Sequence, residues 1–178
     1  MILENKKIVM LTGPGFEDLE FWVVYMRMVE EGAEVKIVGL KKGEEYLSKS
    51  GGLRARCEFE ASEISHEELS AVLIPGGWAP DKLRRDRDIL HLVREVYENG
   101  GLIGMICHAG LVGISSGIVK GGKATGSLGI KDDLENAGST WVDKPAFRDG
   151  NIVWGRVVKD IPIYCKELLK AFQTKEEK

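Results

Sequence analysis

A cysteine followed by a histidine, where an apolar strand gives way to a helix, is the place in this sequence most suited to nucleophilic chemistry. The stretch runs Gly101-Leu-Ile-Gly-Met-Ile-Cys-His-Ala-Gly-Leu111. Leu102 to Ile106 reads as a buried strand, and the small residues Ala109 and Gly110 open a helix. A sharp strand-to-helix turn at a nucleophile is the nucleophile-elbow arrangement. The turn lifts the side chain clear of the sheet, and the helix aims free N–H groups and its positive dipole end at the sulfur. Both favour the thiolate, which is the reactive species. Cys107 is therefore expected to be catalytic or redox-active, and ionised near neutrality. Free cysteine more often packs as a small hydrophobe, and that reading fits the other two. Cys57 falls on the apolar side of an alternating segment with Leu53, Ala55 and Phe59. Cys165 falls on a helical stripe with Ile161, Tyr164, Leu168, Leu169 and Phe172.

Two further loops carry unusual residues. The first is Thr12-Gly-Pro-Gly-Phe-Glu-Asp-Leu-Glu20. It lacks the third glycine of a dinucleotide fingerprint and the lysine of a P-loop, so it is no phosphate cradle. Glu17 could simply complement a helix start. Beside Cys107, it could instead share a proton with the sulfur and stabilise the anion through a charge-assisted hydrogen bond. The second loop is Pro75-Gly-Gly-Trp-Ala-Pro-Asp81. Its paired glycines Gly76 and Gly77 are either a plain turn or a close backbone approach to substrate. In the second case the Gly77 and His108 N–H groups form an oxyanion site, where one donor is typically worth ~3 kcal/mol. Of the histidines, His66 sits in a capping-box pattern with Ser65, and His91 lies opposite the apolar stripe of its helix. His108 alone is placed to serve Cys107 as acid or base, and Asp81 could orient it, within the chain or across a subunit contact.

The elements that must hold these loops are legible in the hydrophobic pattern. Four apolar runs, Ile8–Leu11, Val35–Val38, Ala71–Ile74 and Leu102–Ile106, are mostly separated by helical patterns over 17–31 and 89–99. Apolar strands alternating with helices predict a parallel sheet covered on both faces. Residues 42–60 read as an appended hairpin, Ile152–Trp154 as a further strand, and Pro162–Phe172 as a closing helix. The expected fold is a single-domain α/β protein over residues 1–178, a flavodoxin-like three-layer sandwich with a mostly parallel central sheet. In the flavodoxin-like order 2-1-3-4-5 the three loops converge beyond the carboxyl ends of the strands, at the switch point. The first helix carries Leu19, Trp22, Val23, Met26 and Val29 on one stripe and Phe21, Val24, Tyr25 and Met28 beside it. So broad an apolar surface implies burial on more than one side, against another subunit or under the hairpin.

Composition narrows the function. With 178 residues, 43% hydrophobic and 30% charged, the chain has the make-up of an ordinary globular domain. A net charge of −3 with a pI near 5.7 argues against nucleic-acid or anionic-membrane partners. Three cysteines without a Cys-x-x-Cys pair support neither a disulfide framework nor a zinc site. The N-terminus lacks a signal-peptide core and no run nears the ~20 apolar residues of a membrane span, so a cytoplasmic location is expected.

Together, Gly15-Phe-Glu-Asp-Leu-Glu20, Ile74-Pro-Gly-Gly-Trp-Ala-Pro-Asp81, Ile106-Cys-His-Ala109, Gly129-Ile-Lys-Asp-Asp-Leu134, Asn136-Ala-Gly138 and Trp141-Val-Asp143 resemble a known group. It is the PfpI-type intracellular protease group, in the superfamily that also holds the Parkinsonism-associated deglycase and glyoxalase III enzymes (class I glutamine amidotransferase-like fold). The resemblance implies that Cys107 is the nucleophile, Glu17 its carboxyl partner and His108 the neighbouring histidine, with Gly77 lining the oxyanion site. In PfpI-like members a glutamate after the Pro-Gly-Gly loop completes a triad from an adjacent subunit. The matching residue here is Asp81, one methylene shorter. Gly110 stands where proline is common, and Met105 where a smaller residue is usual. The expected protein is a cysteine-dependent enzyme acting on a small carbonyl compound, such as an α-oxoaldehyde or its adduct, or on a peptide acyl group. It would need no cofactor or metal and would form a homo-oligomer, a dimer or hexamer. The alternative is an oxidative-stress sensor or holdase chaperone using the same cysteine. A nucleotide or flavin binder is disfavoured by the missing phosphate loop.

Overall fold

The central strands of the sheet are apolar from end to end because both of their faces are covered. In the computed structural model, which describes residues 1–176, β1 (Lys7–Leu11), α1 (Asp18–Glu30) and β2 (Glu34–Gly39) come first. Short strands β3 (Glu45–Leu47), β4 (Arg54–Arg56) and β5 (Phe59–Glu60) follow. The middle of the chain holds β6 (Ala71–Ile74), α2 (Ala79–Leu83), α3 (Arg87–Glu98), β7 (Leu102–Ile106) and α4 (Gly110–Ser116). The last part holds β8 (Lys123–Ala124), α5 (Lys131–Asn136), β9 (Thr140–Trp141), β10 (Ala146–Asp149), β11 (Ile152–Gly155) and α6 (Ile161–Glu176).

The main sheet runs β10-β11-β7-β6-β1-β2-β5. Every pairing in it is parallel except β10 with β11. Its centre, β2-β1-β6-β7-β11, is the expected 2-1-3-4-5 order. Helices α1 and α6 pack on one side; α3 and α4 cover the other, with α2 against α4. The hairpin at 42–60 is present as antiparallel β3 and β4, which pair Tyr46 with Ala55. The two edge strands of the main sheet were not foreseen. β5 has only two residues, and β10 is half-buried at every position, so neither shows alternation or a fully apolar run.

The packing corrects the phase of α1. Its core side is Glu20, Phe21, Val24 and Met28, whereas Leu19 (47%), Val23 (42%) and Met26 (61%) are exposed. Ser65 makes no side-chain cap; the capping box lies one turn earlier, between Glu60 and Glu63. Met105 is fully buried and lines neither of the cavities described below. Gly113 makes room for it, since a Cβ there would lie 2.7 Å from the Met105 sulfur. Among the described residues no helix is long and apolar enough to cross a membrane.

Candidate active site

Cys107 directly follows β7 and adopts φ +62°, a left-handed conformation rare outside glycine. Such strain persists only where the surroundings enforce it. Here the Cys107 carbonyl accepts from Ser127 N–H (3.1 Å), and a 3-10 turn over Cys107–Ala109 leads into α4. The consequence is an elbow whose sulfur faces a cavity of about 450 Å³ lined by Glu17, Glu20, Lys49, Gly77, Trp78 and His108 among others.

The first and second loops are laced together by main-chain bonds. Glu17 N–H donates to Gly76 O (3.1 Å) and Trp78 N–H to Gly15 O (2.8 Å), with Phe16 and Gly77 bridged between them. Gly77 sits at φ +76°, and a Cβ there would lie 2.4 Å from Gly15 O, so only glycine fits. Gly76 is equally constrained, because a Cβ would lie 2.6 Å from a Glu20 oxygen and 2.7 Å from Cys107 Cβ.

The carboxyl group set against Cys107 is Glu20, not Glu17. Glu17 is the N-cap of α1, and its Oε2 accepts from Leu19 N–H (2.9 Å) and Glu20 N–H (2.8 Å). Three residues on, Glu20 turns inward, is fully buried and accepts from Gly76 N–H (2.8 Å), and its carboxyl group acts on the Cys107 thiol beside it. Its other oxygen, Oε1, is buried without a partner. A signal for this was available. Glu20, Val24 and Met28 lie four residues apart, so a carboxyl sits on the buried stripe of the helix.

Gly76 is likewise reassigned. Its N–H is used by Glu20, so it positions the carboxyl group rather than offering a free oxyanion donor. The N–H groups of Gly77 and His108 lie close enough to the sulfur to favour its anion. His108 Nδ1 lies 3.3 Å from Cys107 Sγ, so the two adjacent side chains do converge. Room for the ring comes from Gly129, where a Cβ would be 3.3 Å from His108 Nε2. Asp81 does not reach His108 in this chain. It pairs with Arg85 (2.5 Å) and Lys82 (3.6 Å), and it shares with His108 only the wall of a second, larger cavity of about 770 Å³. His66 and His91 both flank Glu95, away from the site.

The electrostatics also depart from expectation. Burial pushes the Cys107 thiol up to about 12, and the charge of Glu20 adds to this, while the Gly77 and His108 N–H groups oppose it. α4 begins only at Gly110, so its first turn does not outweigh enclosure of the sulfur. Burial likewise raises Glu20, to about 7; the Gly76 N–H opposes the rise and the charge of Glu17 adds to it. Burial and the nearby Lys49 lower His108, which favours its neutral form. At rest the sulfur is therefore a thiol beside a carboxyl group that titrates near neutrality. Cys57 and Cys165 are buried, as expected of packing cysteines.

A doubly covered parallel sheet with a cysteine on a strained elbow, a buried glutamate and a histidine defines a class of α/β proteins built around one reactive thiol. The DJ-1/PfpI family model matches residues 6–171, and the chain belongs to that family. It is 34% identical to a protein of Pyrococcus furiosus named deglycase PfpI, over 92% of this chain and 98% of that one. A two-domain protein of Anabaena variabilis with DJ-1/ThiJ/PfpI-like and ferritin-like domains superposes with a TM-score of 0.91 at 34% identity. That match covers 93% of this chain and 47% of that one. Drosophila melanogaster DJ-1beta, at 22% identity, shares the fold with a TM-score of 0.86 over 96% of this chain and 95% of its own. The family and the named relatives support enzyme activity of the DJ-1/PfpI kind.

Proposed function

We propose that this protein is a cysteine-dependent enzyme whose Cys107 forms a covalent adduct with a carbonyl substrate, an α-oxoaldehyde or its adduct with an amine or thiol. The observation that carries this reading is the fully buried Glu20 carboxyl packed across Gly76 from Cys107, with His108 Nδ1 3.3 Å from the sulfur and the Gly77 and His108 N–H groups close to it. As the Sγ–C bond forms, the thiol proton passes to the Glu20 carboxylate, and the former carbonyl oxygen takes the negative charge. The Gly77 and His108 N–H groups hold that oxyanion. Neutral His108 can then move the proton from the former aldehyde carbon to the neighbouring carbon, giving an α-hydroxy thioester. Water hydrolyses that thioester, breaking the Sγ–C bond to release the hydroxy acid and regenerate the Cys107 thiol. With a peptide acyl group the same attack would give a tetrahedral adduct that collapses to an acyl-enzyme as the C–N bond breaks and the amine leaves with the proton taken from the thiol. A redox-sensor role is less well supported, because oxidation follows thiolate character and the resting sulfur is held as a thiol.

Two further features belong to this reading. The outward stripe of α1, with Leu19, Val23 and Met26 exposed, supports a homo-oligomer formed with a second copy of the chain. Free Cys57, Cys107 and Cys165 suit a reducing compartment such as the cytoplasm. The test is a side-by-side assay of methylglyoxal, a glycated amine and an unfolded peptide. Cys107→Ala should abolish turnover of whichever is consumed; undiminished activity in that variant would overturn the proposal.

A further inference from the structure

We infer that the cysteine cavity selects carbonyl substrates bearing a negative charge, a carboxylate above all, and that Lys49 and Lys159 read that charge. The inference deepens the proposed function and rests on Cys107 being the nucleophile. Lys49 and Lys159 both line the cavity of about 450 Å³ into which Cys107 opens. They come from unrelated parts of the chain: Lys49 from the turn between β3 and β4, Lys159 from the 3-10 turn Val158–Asp160 ahead of α6. Both are exposed, and among the described residues neither has an ion-pair partner, whereas Lys7, Lys42 and Lys82 each pair with a carboxylate.

Their backbones are anchored. Lys49 N–H donates to Phe16 O (2.8 Å), and its neighbours hold Asp18 at the start of α1 through Ser48 Oγ (2.6 Å) and Ser50 N–H (3.2 Å). The turn that carries Lys49 is thus tied to the helix that carries Glu20. Lys159 precedes Asp160, which is buried and bound by Arg156 (Nε to Oδ2, 3.0 Å). The cavity's own carboxyl groups accept backbone hydrogen bonds rather than pairing with either lysine, Glu17 from Leu19 and Glu20 N–H and Glu20 from Gly76 N–H. The Lys49 ammonium lies 6.0 Å from the Trp78 ring, at the rim, and its charge is felt at Glu20 and His108. A bare aldehyde offers nothing to two unpaired ammonium groups at the mouth of such a site. A substrate with a carboxylate beyond its carbonyl would engage both while Cys107 attacks. Turnover would then favour the methylglyoxal adduct of a free amino acid over that of its amide.

The test uses two alkylating reagents of nearly equal size. Iodoacetate and iodoacetamide each form an Sγ–C bond at Cys107 and release iodide, but only the first is an anion. Rates are read at Cys107 by peptide mass spectrometry at low ionic strength, as the ratio of acid to amide, normalised to the same ratio for N-acetylcysteine in solution. That ratio cancels any effect of the lysines on the sulfur itself. The native protein should favour the anion by roughly three- to tenfold. Lys49→Gln and Lys159→Gln should each reduce the preference, and the double variant and high salt should both abolish it. Lys→Arg at both positions should keep it. A native ratio of one or below, or a double variant with the native ratio, overturns charge selection while leaving the nucleophile reading intact. Failure of Cys107 to react with either reagent overturns both.

Discussion

At Cys107 and Glu20 one proton is held between two groups that burial makes reluctant to ionise. Burial raises both, Cys107 to about 12 and Glu20 to about 7. Moving the proton from sulfur to carboxylate keeps the total charge constant, so a thiolate can form without adding charge to a partly buried site. Activity should therefore rise with pH through about 7 as Glu20 becomes able to accept the proton. Stability should run the other way. Glu20 ordinarily titrates near 4.5, so its contribution to the fold is intact below that pH and is lost as pH rises through about 7. Relative to Glu20→Gln, which cannot titrate, the native protein should lose on the order of 3 kcal/mol across that window. Urea denaturation at a series of pH values would show it, and a flat difference would refute it. Glu20→Gln should also lower kcat by about a hundredfold or more. Glu17→Gln keeps an oxygen for the cap and should stay within about tenfold of native, with a stability cost near 1 kcal/mol. Equal losses in the two variants would show that the division of labour between these carboxyl groups is wrong.

α1 shows how one helix serves three purposes. Its cap fixes where it starts, its inner stripe of Phe21, Val24 and Met28 seats it on the sheet, and that seating delivers Glu20 to the sulfur. The outer stripe is left exposed, which a single chain has no reason to maintain over several turns. Val23→Glu together with Met26→Glu should therefore dissociate the protein into monomers in sedimentation experiments at micromolar concentration. If the native protein is already monomeric, the proposed interface is refuted. The strands and the long helices were readable as elements because burial of a two-sided sheet demands unbroken apolar runs, and β1, β2, β6 and β7 have them. The rotation of α1 was not read, because two apolar stripes run side by side along it. Only the sheet beneath it chose between them.

For the whole molecule, the crossing order of the strands gathers the three loops at the carboxyl ends of β1, β6 and β7, where open parallel sheets bind ligands. The support beneath is close-packed. A Cβ at Gly104 in β7 would lie 2.5 Å from Tyr164 Oη and 2.6 Å from a Leu73 methyl. Gly104→Ala should push α6 off the sheet and lower stability by about 1–3 kcal/mol, with a matching fall in Tm. An unchanged Tm would mean that the core is looser than its contacts imply. Asp81 is held on the outer side of the site. It faces the larger cavity but is bound to Arg85, so any contact with a histidine across subunits belongs to the assembly.

Local sequence alone determined the reactive turn and the class of the fold. An apolar run that stops at Cys107-His108 before small residues can hardly be anything but a strand entering a tight turn. Paired glycines at Gly76 and Gly77 already announce close backbone approach. Tertiary structure decided which carboxyl group meets the sulfur, and in which protonation state. Glu17 and Glu20 share one helical turn, and their sequence distance from Cys107 differs by only three residues. Which of them points inward depends on how α1 rolls on the sheet, and whether the thiol ionises depends on how completely the surrounding loops exclude water.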